Sequence, residues 1–273
     1  MTPAPKRRRT PRAEHALGGD QIEGRRAVVE LLLAQRRPVR DIWISDALEE
    51  SEIIAQIVEL AQAANVPLRR IGRSRLDAEA RTDAPQGVLA HAEPLSEESL
   101  DALAAAGHDG GSGPDGGSGV APFLIVLDQI TDPHNVGALL RTAECFGATG
   151  VVLGRHRSAH VTPTVAKAAA GAIEWLRFAV VPGIPGALAE LARLGVWCVG
   201  LDPGAPTTMG DVVVAEGPVA LVLGSEDHGL SRLARQRCDV LASIPRSGRI
   251  ESLNVSAAGA VAMAEMARRR LSA

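Results

Sequence analysis

The sequence predicts an α/β protein in two parts: a small N-terminal α/β unit, then a larger parallel sheet with helices on both faces. Three observations predict it. First, short apolar runs at 123–128, 151–153, 178–181, 196–201, 219–223 and 240–244 alternate with helical patterns at 135–146, 163–175, 185–194, 230–237 and 254–270. Fully apolar strands between helices indicate a parallel sheet buried on both sides. Second, the stretch GHDGGSGPDGGSG at 107–119 interrupts the chain. It cannot bury apolar surface and reads as a flexible coil between two α/β patterns. Third, 46% of the 273 residues are apolar and 22% are charged, enough for two cores and against wholesale disorder.

The elements follow in order. Residues 1–19 have almost no apolar content and read as a disordered basic tail. GRRAVVELLL at 24–33 has helical spacing through Val28, Val29, Leu32 and Leu33. Residues 40–44 read as a strand. Ser51 opens a helix to about 64 with Ile53, Ile54, Ile57, Val58 and Ala61 on one stripe. A strand at 68–71, a helix at 73–81 and a strand at 88–90 complete a unit spanning 20–95. Residues 96–120 read as the Gly-rich linker, with a short helix at 97–106, and 121–273 as the second domain.

Composition excludes several classes. Aromatics are 2%, with no Tyr, so a protein that holds single strands by repeated base stacking is unsupported. No apolar run approaches the ~20 residues that cross a bilayer. The basic N-terminus lacks the apolar region of a secretory signal, so a cytoplasmic protein is expected. Cys145, Cys198 and Cys238 are far apart, and the seven His residues show no ligand spacing, so neither a disulfide framework nor a metal is expected. Net charge is −3, unevenly placed. Residues 1–12 hold five basic residues and no acid, leaving 24 basic against 32 acidic in the rest. A basic arm points to a polyanion partner or to a plain solvated tail.

In an open α/β sheet, ligands sit beyond the carboxyl ends of the strands. Three loops there have unusual chemistry. DQITDPHNVGALLR leaves a strand, turns at Asp132-Pro133 and enters a helix at Asn135, with Arg141 six residues on. Asn135 is a helix cap or a ligand donor. Arg141 is a binding cation or a solvated helix charge. LVLGSEDHGL at 221–230 places Gly224 directly after a strand, where a missing side chain lets a ligand approach the backbone, and Glu226 just beyond. SIPRSGRIESLNVS at 243–256 leaves the last strand and enters the terminal helix through Ser252, Leu253 and Asn254. Neither a dinucleotide fingerprint nor a P-loop is present.

In this order and spacing, NVGALLRTA at 135–143, LGSEDHGL at 223–230 and IPRSGRIESLNVS at 244–256 resemble the three motifs of the SpoU (TrmH-type, SPOUT) family of RNA ribose 2′-O-methyltransferases. The likeness covers about 121–273. GRRAVVELL at 24–32 resembles the opening helix of the substrate-binding domain, similar to ribosomal protein L30e, that precedes this fold. The closest subgroup is the one that methylates a guanosine ribose of 23S ribosomal RNA. The resemblance implies a deep trefoil knot, S-adenosylmethionine as cofactor, and a homodimer with active sites near its interface. It implies a cofactor pocket lined by Leu201, Gly204, Gly224, Ile244 and Leu253, and a polar set of Asn135, Arg141, Glu226, Ser252 and Asn254.

The reaction so implied moves a methyl from a sulfonium to a ribose 2′-oxygen, and positioning supplies much of the acceleration. The family pattern nominates Arg141 to activate the hydroxyl. A guanidinium holds its proton firmly, so a cationic clamp on phosphate and forming oxyanion is the easier role, with general base as the alternative. Asn135 and Asn254 would orient ribose or cofactor, and Glu226 would position Arg141 or neighbouring donors. Methylation of transfer RNA, or an RNA-binding protein without catalysis, are the competing readings. Arginines cluster in the N-terminal unit and at Arg155, His156 and Arg157, which suits phosphate contact.

Overall fold

A computed structural model describes residues 16–83, 85–105, 121–156, 158–159, 161–249 and 252–272. The chain divides into two compact units, Met1–Leu95 with His160–Lys167, and Ser96–Ala159 with Ala168–Ala273. Most of the predicted basic tail, and the Gly-rich stretch at 107–119, lie outside the described residues.

The first unit is built from β1 (Gln21–Glu23), α1 (Arg25–Ala34), β2 (Val39–Ser45), α2 (Glu52–Ala63), β3 (Leu68–Ile71), α3 (Arg73–Glu79) and β4 (Val88–Ala92). The sheet order is β1-β4-β2-β3. β4 runs antiparallel to β1 and β2, and β2 runs parallel to β3. The apolar stripes of α1 and α2 bury Val28, Leu31, Ile54 and Ile57 against Ile42 and Ile44 of β2. The strand β1 carries no apolar pattern, because two of its three residues, Gln21 and Glu23, are buried polar groups. Glu23, 1% exposed, accepts hydrogen bonds from Gln21 Nε2 (2.7 Å), Arg81 N (2.6 Å), Thr82 N (3.1 Å) and Thr82 Oγ1 (2.5 Å). Glu23→Ala leaves these donors without their acceptor. Each buried orphan costs about 1–3 kcal/mol, so we expect a loss on the order of 3 kcal/mol, read by urea denaturation.

Residues 16–19 are a correction to the disordered tail. Leu17 is buried, its carbonyl accepts from Leu95 N at 2.9 Å, and buried Arg37 donates to the Gly19 carbonyl at 3.0 Å. One leucine and one guanidinium suffice to order a segment with little apolar content.

The second unit comprises α4 (Leu100–Ala105), β5 (Phe123–Asp128), α5 (Pro133–Cys145), β6 (Gly150–Gly154), β7 (Phe178–Val181), α7 (Ile184–Arg193), β8 (Trp197–Leu201), β9 (Thr207–Thr208), β10 (Val219–Gly224), α8 (Arg232–Arg237), β11 (Val240–Ser243) and α9 (Val255–Ser272), while α6 (Pro163–Ala168) belongs to the first unit up to Lys167. The seven strands of the second unit are all parallel, in the order β7-β6-β5-β10-β8-β11-β9. Every residue of β5 and β10 is buried, as continuous apolar runs require. Leu124, Val126, Ala220 and Val222 face one side, against Leu188 and Leu191 of α7 and Ala234 of α8. Strand alternation sends Leu223 to the other side, where Gly259 lets α9 press against it and against Leu139 of α5.

Two expectations are corrected here. The helix predicted over 163–175 stops at Ala168, because Ala170 (φ 51°) and Gly171 (φ 90°) turn left-handed before a short 3₁₀ turn at Ala172–Glu174. Residues 96–105, assigned to the linker, are instead anchored. Glu97 bridges to Phe178, Arg177 Nε binds both carboxylate oxygens of Glu98 (2.9 and 2.8 Å), and Leu103 enters the core.

Candidate functional site

Three strands of the parallel sheet, β8, β10 and β11, end beside one another, and the loops beyond them enclose a cavity of about 510 Å³. Each loop has a local reason for its path. After β8, Asp202 turns the chain by accepting from Gly204 N at 2.8 Å, and its other oxygen holds Arg235 Nε of α8 at 2.7 Å. After β10, Ser225 and Gly229 exchange backbone hydrogen bonds (3.0 and 2.9 Å) around a tight loop. The loop is pinned where buried Asp128, the last residue of β5, accepts from Ser231 N at 2.7 Å. After β11, Ile244 lines the wall and Arg246 reaches the Pro203 carbonyl at 3.5 Å.

At the mouth stands a polar cluster. Asp132 caps α5 by accepting from His134 N (3.4 Å) and Asn135 N (3.0 Å), with Pro133 in the first turn. The cap is thus Asp132, and the Asn135 side chain is left for other work. Its Nδ2 donates to Glu226 Oε1 at 3.0 Å. Asn254 does two jobs. Its Oδ1 accepts from Ser256 N (2.9 Å) and Ser256 Oγ (2.5 Å), which caps α9. That fixes the amide's orientation, so Nδ2 faces Asn135 Oδ1 (3.2 Å) and Glu226 Oε1. Glu226 Oε1 also receives Val255 N at 3.4 Å. One carboxylate oxygen therefore ties the start of α5, the loop after β10 and the start of α9 together.

Of the residues singled out in the sequence, Leu201, Gly224, Ile244, Leu253, Glu226 and Ser252 line the cavity. Gly204 lines an adjoining one of about 570 Å³ that shares Pro203, Ile244 and Arg246 with it. Asn135 and Asn254 join through Glu226. Arg141 does not join them. It is exposed on α5, makes no hydrogen bond or ion pair with a described residue, and is not held by Glu226. The reason for Gly224 also changes. A Cβ there would lie 2.1 Å from the Gly229 carbonyl carbon and 2.3 Å from Leu230 N, so the missing side chain makes room for the protein's own loop. Sequence reasoning missed Asp202, His228, Arg235 and Arg246, all in the cavity wall. Only Asp202, in a D-P-G turn directly after a strand, carried a signal. Burial pushes the thiols of Cys198 and Cys238 up to about 12, helped by the nearby Asp239 charge, so both stay protonated and neither offers a nucleophile. Among the described residues, no cluster of His, Cys, Asp and Glu could hold a metal ion, and no helix is long and apolar enough to cross a membrane.

A parallel sheet whose strand-end loops form a cavity beside an Asn–Glu–Asn cluster defines an α/β ligand site at the carboxyl ends of the strands, and comparison with known proteins places it. Residues 122–264 match the SpoU rRNA Methylase family, and residues 21–98 match the RNA 2′-O ribose methyltransferase substrate binding domain. The chain belongs to the SpoU rRNA methylase family. It is 40% identical to the 23S rRNA (guanosine-2′-O-)-methyltransferase RlmB of Ralstonia nicotianae, covering 90% of this chain and 94% of the relative. It is 34% identical to the protein of the same name from Shewanella oneidensis, over 93% and 98% of the two chains. Among solved structures, the SpoU methyltransferase AviRb from Streptomyces viridochromogenes, in complex with AdoMet, shares the fold with a TM-score of 0.73 at 23% identity, over 93% of this chain and 91% of that one.

Proposed function

We propose that this protein methylates the 2′-oxygen of a ribose in RNA, a guanosine of 23S rRNA, with S-adenosylmethionine as the methyl donor. The observation that carries it is the continuity, through Glu226, between the cavity at the ends of β8, β10 and β11 and the Asn135–Asn254 pair. A space of about 510 Å³ suits a molecule of the cofactor's size. Leu201, Leu223, Leu230, Ile244 and Leu253 give it apolar walls, and the backbone from Gly224 to Gly229 gives it polar ones. When bound, S-adenosylmethionine supplies an electrophilic methyl on a sulfonium.

The chain's own residues do the rest. Glu226 fixes both asparagine amides, so the pair is preorganised and need not reorganise during the reaction. Arg141, free of any partner among the described residues, is available to clamp a phosphate of the RNA and steady the oxyanion forming at the 2′-position. Ser252 at the cavity wall offers a further hydroxyl to the ribose. The family reading adds a trefoil knot around the pocket, a homodimer through the second unit with sites near its interface, residence in the cytoplasm, and an RNA-holding N-terminal unit joined by the Gly-rich linker.

The test is direct. Purified protein, labelled S-adenosylmethionine and 23S rRNA transcript should yield label that alkaline hydrolysis maps to one 2′-O-methylguanosine. Transfer to transfer RNA alone would replace the substrate, and no transfer to any RNA would replace the enzyme by a binding protein. Within the site, Glu226→Ala should cut transfer by about 10²-fold, because it frees two amides and an α9 N–H at once. Glu226→Gln keeps one acceptor and should fall less. Equal rates for the two variants would deny the carboxylate its organising role.

A further inference from the structure

The N-terminal unit is rich in arginine, and the structure sorts these residues by what they already hold. Arg37 is 4% exposed and spent on backbone carbonyls. Arg25 Nε is given to the Gln86 carbonyl at 3.2 Å, and Arg40 lies against Asp20 and Glu93. Arg69, Arg70, Arg73 and Arg75 differ. All four are exposed, and all lie within seven residues on the edge strand β3 and the first turns of α3. Arg70 has no partner among the described residues.

Beside them, in register with Arg69, stands Trp43 of β2. Asp41 organises the neighbourhood. Its Oδ2 accepts from Trp43 Nε1 at 3.1 Å and lies 3.4 Å from Arg69 Nε, while its Oδ1 lies 2.7 Å from His91 Nδ1. The His91 ring meets the indole edge-on, centroids 5.1 Å apart, and the Arg75 guanidinium carbon stands 5.5 Å from the indole centroid. Asp41 and Asp77 answer only half of the four positive charges. The result is an exposed cationic edge that contains one cation–π pair on an indole held by Asp41.

We propose that this edge is where the N-terminal unit grips RNA. Arg69, Arg70 and Arg73 meet backbone phosphates, and the Arg75–Trp43 pair meets an unpaired base. The excess charge selects a polyanion, and a guanidinium held over an indole offers a nucleobase a surface that is both cationic and aromatic. The proposal rests on the reading of the chain as an RNA methyltransferase and names the surface that does the holding.

The test uses the full chain and a 23S rRNA transcript, with affinity measured across a series of KCl concentrations. The double variant Arg69→Gln, Arg70→Gln should bind at least about tenfold more weakly, and its slope of log affinity against log salt should flatten by about 1–2. Arg193→Gln with Arg268→Gln removes the same charge from the second unit and should change affinity less than about twofold. In a Trp175→Phe, Trp197→Phe background, Trp43 is the remaining indole, and its emission should change when the transcript binds. An unchanged far-UV circular dichroism spectrum and an unchanged urea transition show that the variants are folded. An unchanged salt slope in the double variant, with Trp43 emission indifferent to RNA, overturns this surface while wild-type binding leaves the methyltransferase reading standing. Wild-type protein that neither binds nor methylates the transcript overturns both.

Discussion

Arg141→Ala should abolish methyl transfer, by about 10²–10³-fold or more, and leave cofactor affinity unchanged. The structure makes this a clean experiment. Arg141 is exposed on α5, borders neither cavity and has no partner among the described residues. Ala is the best helix former, so the substitution removes a charge without weakening α5. A large loss of activity in a protein of unchanged melting temperature, cofactor affinity and oligomeric state is then a loss at the substrate. Arg141→Lys separates the two chemical roles. A lysine, with an ordinary pKa of about 10.4, is far easier to deprotonate than an arginine. If the residue clamps charge, the Lys variant loses activity as pH rises through that range. If it acts as a base, the variant gains activity there. Single-turnover methylation between pH 7 and pH 10.5 or so distinguishes them, and wild-type turnover by Arg141→Ala would return Arg141 to a solvated helix charge.

The sheet was legible because burial on both faces demands continuous apolar runs, and β5 and β10 supply them residue by residue. What stayed hidden is of two kinds. A segment poor in apolar residues can still be ordered by one or two anchors, as Leu17 and Arg37 order 16–19. No periodicity announces such anchors. The second kind is pairing across distance. Asn135, Glu226 and Asn254 could each be singled out, but Asn135 and Glu226 are 91 residues apart and Asn135 and Asn254 are 119 apart. Which side chain accepts from which is decided by where three loops converge. The sequence therefore places Glu226 beside Arg141 or neighbouring donors without choosing, and the structure joins it to Asn135, Asn254 and Val255. Asn135 and Asn254 show the same limit from the other side. Asn135 reads as a cap or a ligand donor, and Asp132 takes the cap at α5 and frees its amide, while Asn254 caps α9 with its oxygen and joins the cluster with its nitrogen.

Gly224→Ala should weaken cofactor binding by about 100-fold or more and lower transfer with it, although alanine adds a single methyl group. The added Cβ would lie 2.1 Å from the Gly229 carbonyl carbon, 2.3 Å from its oxygen and 2.3 Å from Leu230 N. These are backbone atoms, so no rotamer change relieves the contact. The loop itself must move, and it is held at both ends: Ser225 and Gly229 are hydrogen-bonded to each other, and Leu230 is buried in the core. Moving it carries Glu226 away from Asn135, Asn254 and Val255, and so loosens the cavity wall and the polar cluster together. Overpacking of this kind costs about 1–3 kcal/mol, so the variant should stay folded with a melting temperature lower by several degrees. Gly186→Ala, on α7, is the matched control, because a Cβ there has nothing within 4 Å and binding should not change. Titration calorimetry of both variants with S-adenosylmethionine decides the matter. Wild-type affinity in Gly224→Ala would mean that the loop shifts at no cost, and Gly224 would lose its place in the account of why this pocket has its shape.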